Sequence, residues 1–206
     1  RDTNEDCRGN LLRRMERFPY PLRLVGRKEN TMALAASEHW RDEKINGVIY
    51  DMSPAPDFRH GIINNNINRI IGYGLKGSIC LVFMENLDYK YHPDVNDDYV
   101  CPDVMIICDR KHLKGGSYSG VPRYIAETLS HSTAKRDRTV KMEIYEKAGV
   151  EEYWIVSPQG SVEIYYLEGG KYVLEQHYML EEDKEEDAYN AETEIVLRGF
   201  PHIKMT

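Results

Sequence analysis

The stretch YIAETLS, Tyr124 to Ser130, has the composition of a short β-strand that contains one unexpected charge. Side chains alternate between the two faces of a strand, so Ile125, Glu127 and Leu129 share one face. An ionised carboxylate between two large apolar residues needs a cation, a hydrogen-bond donor or water, because burying it alone is costly. Either this strand lies at a half-covered sheet edge, or Glu127 is a metal ligand at the mouth of an α/β sheet.

The segments on both sides of this strand alternate between strand and helix patterns. The continuous apolar runs SICLVFMEN and YVCPDVMIICD are typical of strands buried on both faces of a sheet. Residues 58–73 repeat isoleucine at helical spacing, and Asn-Gly at 46–47 predicts a hairpin turn. STAKRDRTVKMEIYEKAGV predicts a helix that begins near Ser132 or Thr133 and ends near Gly149.

The chain beyond that helix is predicted to be mostly β-structure. EEYWIVS predicts a strand, and SVEIYYLEG and KYVLEQHYM predict a hairpin that turns at residues 168–170. TEIVL, residues 193–197, is expected to close the sheet. The loop GGSYSGVP precedes the opening strand. The predicted class is α/β, with a mixed β-sheet flanked by helices.

The domain organisation is predicted from composition. Residues 1–31 are arginine-rich and broken by FPYPL, which predicts a weakly structured appendage to a single domain over residues 32–206. No apolar run approaches the roughly 18 residues of a membrane span, and no secretory signal is visible. Cys101 and Cys108 bracket an apolar strand and are predicted to be buried thiols. These features favour a cytoplasmic protein without membrane association.

The charge is unevenly distributed along the chain. The net charge is −7, which argues against an indiscriminate nucleic-acid binder. The segment from Arg110 to Lys141, however, contains eight basic and two acidic residues, so it carries +6. Such a segment on an acidic protein favours a polyanion that binds at one place. LEEDKEED, residues 180–187, holds much of the remaining acid and is predicted to be a solvated loop.

Two carboxylates and a lysine have the spacing of a metal-dependent hydrolase. Asp103 stands where an apolar strand begins, and Glu127 follows in a neighbouring strand. On the next helix Asp137, Lys141 and Tyr145 recur every fourth residue and line one face. Mg²⁺ prefers oxygen ligands, and a bound metal lowers the pKa of a water nucleophile. A strand that leads into a helix packed back over the sheet can bring Lys141 towards Glu127, so the set suits phosphodiester hydrolysis.

Each of these residues also has an ordinary structural interpretation. Asp103 can be a turn residue, and Lys141 with Asp137 can be a helix-surface ion pair of a few tenths of a kcal/mol. Tyr145 can be a core residue, and His60 can cap or pack the isoleucine-rich helix. Spacing alone leaves these alternatives open.

The order PDVMIICD, YIAETLS, KMEIYEKAGVEEYWIVSP resembles the Uma-two family of restriction endonucleases, within the PD-(D/E)xK nuclease superfamily. Its "PD" is Pro102-Asp103, and its IAETLS strand supplies Glu127. The pattern K-x-x-x-Y-x-x-x-G-V-x-x-Y-W-I-V begins at Lys141. Upstream, EKINGVIYDMSPAP and then His60 resemble the family's opening hairpin and histidine. The resemblance covers roughly residues 43–173.

This resemblance implies a restriction-endonuclease-like core and a divalent metal, Mg²⁺ or Mn²⁺. Asp103, Glu127 and the backbone carbonyl of Thr128 are the implied ligands. The superfamily's usual lysine position, two residues after Glu127, is Leu129, so the resemblance assigns that role to Lys141 on the helix. Other expected site residues are Glu43, His60 and Tyr145 in support, and Lys135, Arg136 and Arg138 as nucleic-acid contacts.

Three functions remain open at this point. The favoured one is a metal-dependent DNA endonuclease, with DNA as partner and a homodimer through the tyrosine-rich hairpin as a further expectation. The second is a nuclease-fold protein that binds nucleic acid or a protein without cutting. The third is an interaction domain in which YWIVS and the hairpin EIYYLEGGKYVLEQHY form a partner surface.

Overall fold

A computed structural model describes residues 41–52, 57–180 and 193–205. The predicted appendage over residues 1–31 and residues 181–187 of the acidic loop lie outside these ranges. In chain order the elements are β1 (Asp42–Ile45), β2 (Val48–Asp51), α1 (Phe58–Gly74), β3 (Leu81–Met84), β4 (Asp88–Tyr89), β5 (Val104–Ile107), a 3-10 turn (Arg110–His112), β6 (Leu113–Lys114), β7 (Ser117–Tyr118), β8 (Tyr124–Thr128), α2 (134–148), β9 (Glu152–Ser157), β10 (Ser161–Glu168), β11 (Lys171–Met179), β12 (Ile195–Leu197) and β13 (Phe200–Met205).

A mixed six-stranded sheet forms the centre of the fold, in the order β11-β10-β9-β8-β5-β3. Neighbouring strands are antiparallel except β8 and β9, which are parallel. Parallel strands need a crossover, and α2 provides it. β8 thus lies inside the sheet and is buried along its whole length. The interpretation of Glu127 as part of a half-covered edge strand is therefore wrong.

The alternation of side chains divides the core between the two faces of this sheet. On one face, Tyr124 and Ala126 pack with Ile67 and Ile71 of α1 and with the β12–β13 hairpin. On the other face, Ile125 packs with residues of α2 and with a cluster of tyrosines. Adjacent residues of β8 consequently face α1 and α2 in turn, which places Glu127 toward α2 and Thr128 toward α1.

Several local predictions are confirmed by this architecture. Asn46 and Gly47 both have positive φ (52° and 75°), as a two-residue hairpin between β1 and β2 requires. The β10–β11 hairpin turns at residues 169–170 as predicted. α2 begins after Thr133 and ends at Gly149, whose left-handed φ of 85° suits a helix C-terminus. No helix in the described ranges is long and apolar enough to cross a membrane.

Other local predictions are wrong. Residues 193–197 do not close the central sheet, because β12 pairs with β13, which follows after only two residues. The GGSYSGVP segment contains β7, which joins β4 and β6 in a small separate sheet.

The prediction for one of the two cysteines is also wrong. Cys101 is a buried free thiol as predicted, but Cys108 forms a disulfide with Cys80. The β3–β5 pairing, in which Leu81 faces Ile107, brings these cysteines opposite each other although 28 residues separate them. The spacing of the cysteines along the sequence gave no sign of that register. Because two of the cysteines form a disulfide, the cysteine pattern does not support the inference of a reducing, cytoplasmic compartment.

Candidate active site

Glu127 meets two side chains of α2 inside the protein. Lys141 Nζ donates to Glu127 Oε1 at 3.1 Å, and the Tyr145 hydroxyl donates to the same oxygen at 2.5 Å. All three side chains are buried. The structure thus brings Lys141 to Glu127, as the strand–helix order predicted, and the four-residue spacing places Tyr145 beside it.

Lys141 is surrounded by further carboxylates. Its Nζ lies 2.7 Å from Glu43 Oε1 and 3.5 Å from Asp137 Oδ1. Burial alone would lower the pKa of Lys141, but the carboxylates of Glu127, Glu43 and Asp137 raise it well above its ordinary value. Lys141 therefore stays an ammonium ion at neutral pH. We call Glu43, Glu127, Asp137, Lys141 and Tyr145 the Lys141 cluster.

The turn of α2 that carries Lys141 is wider than an α-helical turn. Residues Asp137–Lys141 are π-helical, between the α-helical segments Ala134–Arg136 and Met142–Ala148. Tyr153 on β9 donates to the Asp137 carbonyl at 3.0 Å and so anchors this turn to the sheet. Single π-turns inside α-helices occur frequently at functional sites. This one aims both Asp137 and Lys141 into the protein.

The Lys141 cluster holds more carboxylates than cations. Glu43 Oε2 and Asp137 Oδ1 are buried and have no hydrogen-bond partner among the described residues. Arg136 is the nearest further cation, with its Nε 3.6 Å from Glu43 Oε2. Burial raises the pKa of Glu127 and of Asp137, and Lys141 only partly offsets this. Buried carboxylate oxygens in this state are suited to bind an added cation.

A second group of polar side chains connects Asp103, which lies beside Glu127 at the start of β5, to α1. Asp103 Oδ2 accepts the Thr128 backbone N–H at 2.7 Å and lies 3.1 Å from His60 Nε2. Asn64 Nδ2 lies 3.2 Å from His60 Nδ1, and the Thr128 hydroxyl donates to Asn64 Oδ1 at 2.6 Å. The bond to Asp103 requires a proton on Nε2, and a neutral imidazole then accepts from Asn64 through Nδ1.

Glu85 completes this group, although sequence reasoning did not select it. Its Oε1 accepts from Asn64 at 2.7 Å, and its Oε2 pairs with Arg41 at 2.9 Å. Burial alone would lower the pKa of His60, but the hydrogen bond to Asp103 and the charges of Asp103 and Glu85 raise it. We call His60, Asn64, Glu85, Asp103 and Thr128 the Asp103 network.

His60, Glu85 and Asp103 offer ligand atoms that all lie within 4.8 Å of one another, so they form a carboxylate–histidine group able to hold a metal ion. Asn64 had a sequence signal, because it follows His60 by one helical turn. Glu85 had none. It lies in the turn after β3 with a positive φ of 48°, which only the folded backbone reveals.

The three predicted nucleic-acid contacts differ in their surroundings. Lys135 is exposed on α2. Arg136 places its guanidinium over the Tyr50 ring at 4.7 Å. Arg138 pairs with Glu163 at 2.6 Å. Their contact with nucleic acid remains a prediction.

The fold is that of the restriction-endonuclease-like α/β class implied by the sequence resemblance. Within that class, the chain belongs to the Uma2 family, described as "putative restriction endonuclease", which matches residues 29–197. This confirms the resemblance drawn from the motifs and makes nucleic acid the substrate class of the family.

Individual proteins similar to the chain include a crystal structure and a curated relative. The crystal structure of a "putative nuclease belonging to DUF820" from Anabaena variabilis shares 18% identity, with a TM-score of 0.58 over 79% of this chain and 84% of that one. This likeness shows the fold. An uncharacterized protein of Synechocystis sp., slr1290, is 28% identical over 124 residues, which are 60% of this chain. The match spans 64% of that relative, less than two thirds of its length.

Proposed function

We propose that the protein is a metal-dependent endonuclease that hydrolyses phosphodiester bonds in DNA. The observation that carries the proposal is the buried contact of Lys141 with Glu127, beside carboxylate oxygens that accept no hydrogen bond from the described residues. Membership of the Uma2 family supports the reaction class.

The donor set fits a hard divalent cation such as Mg²⁺ or Mn²⁺. Asp103 and Glu127 would hold it, with the Thr128 backbone carbonyl as a third ligand. The hydrogen bonds to Asp103 from His60 and Thr128 both fall on Oδ2, so Oδ1 is the oxygen offered to the metal. When bound, the ion would lower the pKa of a water nucleophile and neutralise charge on the phosphate.

Three protein side chains have the remaining roles in hydrolysis. Because its pKa is raised, Lys141 cannot accept a proton at neutral pH, so it acts as a hydrogen-bond donor that orients the water or holds a phosphate oxygen. Tyr145 fixes the orientation of Glu127 through its hydroxyl. His60 does the same for Asp103. Both are positioning residues.

A plasmid-nicking assay with Mg²⁺ or Mn²⁺ tests the proposal, with wild type beside Glu127→Gln. Removing the charge should abolish cutting and leave the fold intact, because the amide has nearly the volume of the carboxylate. Glu152→Gln is the matched control, since Glu152 is equally buried on neighbouring β9 and bonds Trp154 on the opposite face. Wild-type cutting by Glu127→Gln would refute the metal-ligand role.

A nuclease-fold protein that binds without cutting is the second candidate, favoured by Leu129 at the superfamily's usual lysine position. Calorimetric titration with Mn²⁺ separates the two functions. A protein that neither binds Mn²⁺ at Asp103 and Glu127 nor nicks DNA would be the binding module.

A further inference from the structure

Exposed apolar side chains lie beside the elements that supply the site. Tyr50 on β2 stands directly opposite Glu43 in the hairpin register and is 37% exposed. Phe58, two residues before His60 in the first turn of α1, is 71% exposed. Val140, also exposed, adjoins Lys141. Each of these three exposed apolar residues therefore lies on or beside an element that supplies the candidate site.

Tyr50 is linked to the Lys141 cluster by a continuous series of contacts. Lys141 Nζ contacts Glu43 at 2.7 Å, and the other Glu43 oxygen lies 3.6 Å from Arg136 Nε. The Arg136 guanidinium lies over the Tyr50 ring, 4.7 Å from its centre, while its Nε has no hydrogen-bond partner among the described residues. Arg136 is thus two contacts, and the Tyr50 ring three contacts, away from Lys141.

The same pairing of ring and cation occurs at the start of α1. The Arg59 guanidinium lies 5.8 Å from the centre of the Phe58 ring. Phe58 and Arg59 immediately precede His60, whose imidazole bonds Asp103. Both carboxylates implied as metal ligands therefore have an exposed aromatic ring with an arginine against it nearby, one reached through Glu43 and one through His60.

This combination fits one kind of ligand better than others. Aromatic rings provide a stacking surface for any nucleobase, and arginine beside them attracts the phosphate backbone. In an intact duplex the base faces are covered by their neighbours, so only unpaired nucleotides present a face to such a ring. The segment from Arg110 to Lys141, which carries +6 and includes Arg136, matches a polyanion, whereas a second copy of this chain would bring a net charge of −7.

Building on the proposed function, we infer that Tyr50 and Phe58 stack against unpaired bases on either side of the scissile phosphate. The substrate class is then nucleic acid with single-stranded character, such as single strands, gaps or flaps, and not uninterrupted duplex. Arg136 and Arg59 contact the phosphates next to the stacked bases.

Binding can be measured without cleavage. Fluorescence anisotropy of a labelled single strand and of the same sequence as duplex would be recorded with full-length Glu127→Gln protein in Mg²⁺. We expect tighter binding of the single strand. Tyr50→Ala and Phe58→Ala, made in this background, should each weaken it about tenfold, a typical effect of removing one base-stacking side chain. Tyr50→Trp should retain the binding, since it preserves the stacking surface.

Tyr73→Ala is the matched control, because Tyr73 is 81% exposed and lies at the other end of α1 from Phe58. It should leave binding unchanged. Equal affinity for duplex and single strand, or alanine variants at 50 and 58 that behave like Tyr73→Ala, would overturn the inference. Loss of a dimer in Tyr50→Ala, seen by light scattering with no change in nucleic-acid binding, would do so too.

The two proposals fail in different experiments. If wild type nicks plasmid DNA but the Tyr50 and Phe58 variants bind normally, the endonuclease proposal stands and the stacking surface is refuted. If the wild type cuts neither plasmid nor single-stranded DNA but single strands still bind through Tyr50 and Phe58, the surface stands and the hydrolytic function is refuted.

Discussion

Two buried polar groups, the Asp103 network and the Lys141 cluster, meet at β8, and their carboxylates are stabilised in different ways. In the Asp103 network, neutral donors such as the Thr128 N–H and Asn64 reach the carboxylates, and the hydrogen bonds close a ring through His60. In the Lys141 cluster, one ammonium ion contacts three carboxylates, and two of their oxygens have no hydrogen-bond partner in the described part of the chain. One group is preorganised, and the other is arranged to receive positive charge.

The difference shows how adjacent residues of one strand can serve unlike purposes. Glu127 and Thr128 face opposite sides of the sheet, so the same backbone supports a charged group and a hydrogen-bonded one. A network of neutral donors fixes the direction of a carboxylate without cancelling its charge. An ion pair with a cation such as Lys141 offsets the charge of a carboxylate, and so determines how strongly that carboxylate still attracts a metal ion.

Removing Lys141 should have the largest effect on folding stability and on DNA nicking. Lys141→Met leaves three buried carboxylates without their main cation, and breaking such a pair costs about 3–5 kcal/mol of folding free energy. Chemical denaturation should show this loss, and nicking should fall below detection. Lys147→Ala is the control, since Lys147 forms an exposed pair with Glu143 on the same helix and should change stability by less than about 0.5 kcal/mol.

The pH dependence of the same variant tests the origin of the loss. In wild type, the stability provided by Lys141 is present below its ordinary pKa and is lost only as pH rises through its raised folded-state pKa. In Lys141→Met, the raised pKa values of Glu127 and Asp137 mean that lowering the pH restores stability by protonating them. A variant whose deficit does not shrink toward acid pH would contradict this account of the cluster.

His60→Ala should have the next largest effect, acting through the Asp103 network. Without the imidazole, Asp103 loses a donor and Asn64 loses a partner, so the carboxylate is no longer held in one direction. Loss of such a supporting group costs roughly 10–100-fold in metal affinity or activity. Mn²⁺ titration and nicking rates would measure it. His60→Gln keeps a donor and should recover part of the loss, whereas a purely space-filling role would leave metal affinity unchanged in both variants.

Among the variants of Lys141, His60 and Tyr145, Tyr145→Phe should have the smallest effect on stability and nicking. It removes one hydroxyl from a contact that Lys141 also makes, and hydrogen bonds to charged groups contribute about 1.5–3 kcal/mol. The free energy of unfolding should fall by no more than this, and nicking should be slowed but measurable. Tyr172→Phe is the comparison, because the Tyr172 hydroxyl donates to the Val150 carbonyl away from the site. An inactive Tyr145→Phe protein would mean that the hydroxyl does more than orient Glu127.

The parts of the site that the sequence predicted are those set by local periodicity. Lys141 and Tyr145 share a helix face at four-residue spacing, and a strand followed by a crossover helix brings that face to Glu127. Asp103 was recognisable because a charged residue begins an otherwise apolar strand. Each of these inferences needs only the geometry of one element and its neighbour.

The parts that escaped prediction depend on register between distant segments or on irregular backbone. Glu85 reaches Asn64 because β3 ends in a turn with a positive φ. The π-turn at Asp137–Lys141 has no periodic signature in so short a helix. Cys80 and Cys108 meet only through the pairing of β3 with β5. None of these arrangements can be deduced from spacing along the chain.

The disulfide also makes the two borders of the central sheet unequal. β3 is the outer strand on one side, and the Cys80–Cys108 disulfide joins the residue just before β3 to the residue just after its neighbour β5. β11 is the outer strand on the other side, where a bulge interrupts the ladder opposite Ile164 and Tyr165 and no such bond exists within the described residues. Peeling of an outer strand exposes unpaired backbone groups, the usual start of edge-to-edge aggregation. In the oxidised protein such opening should therefore begin at β11, and amide hydrogen exchange should be faster there than along β3.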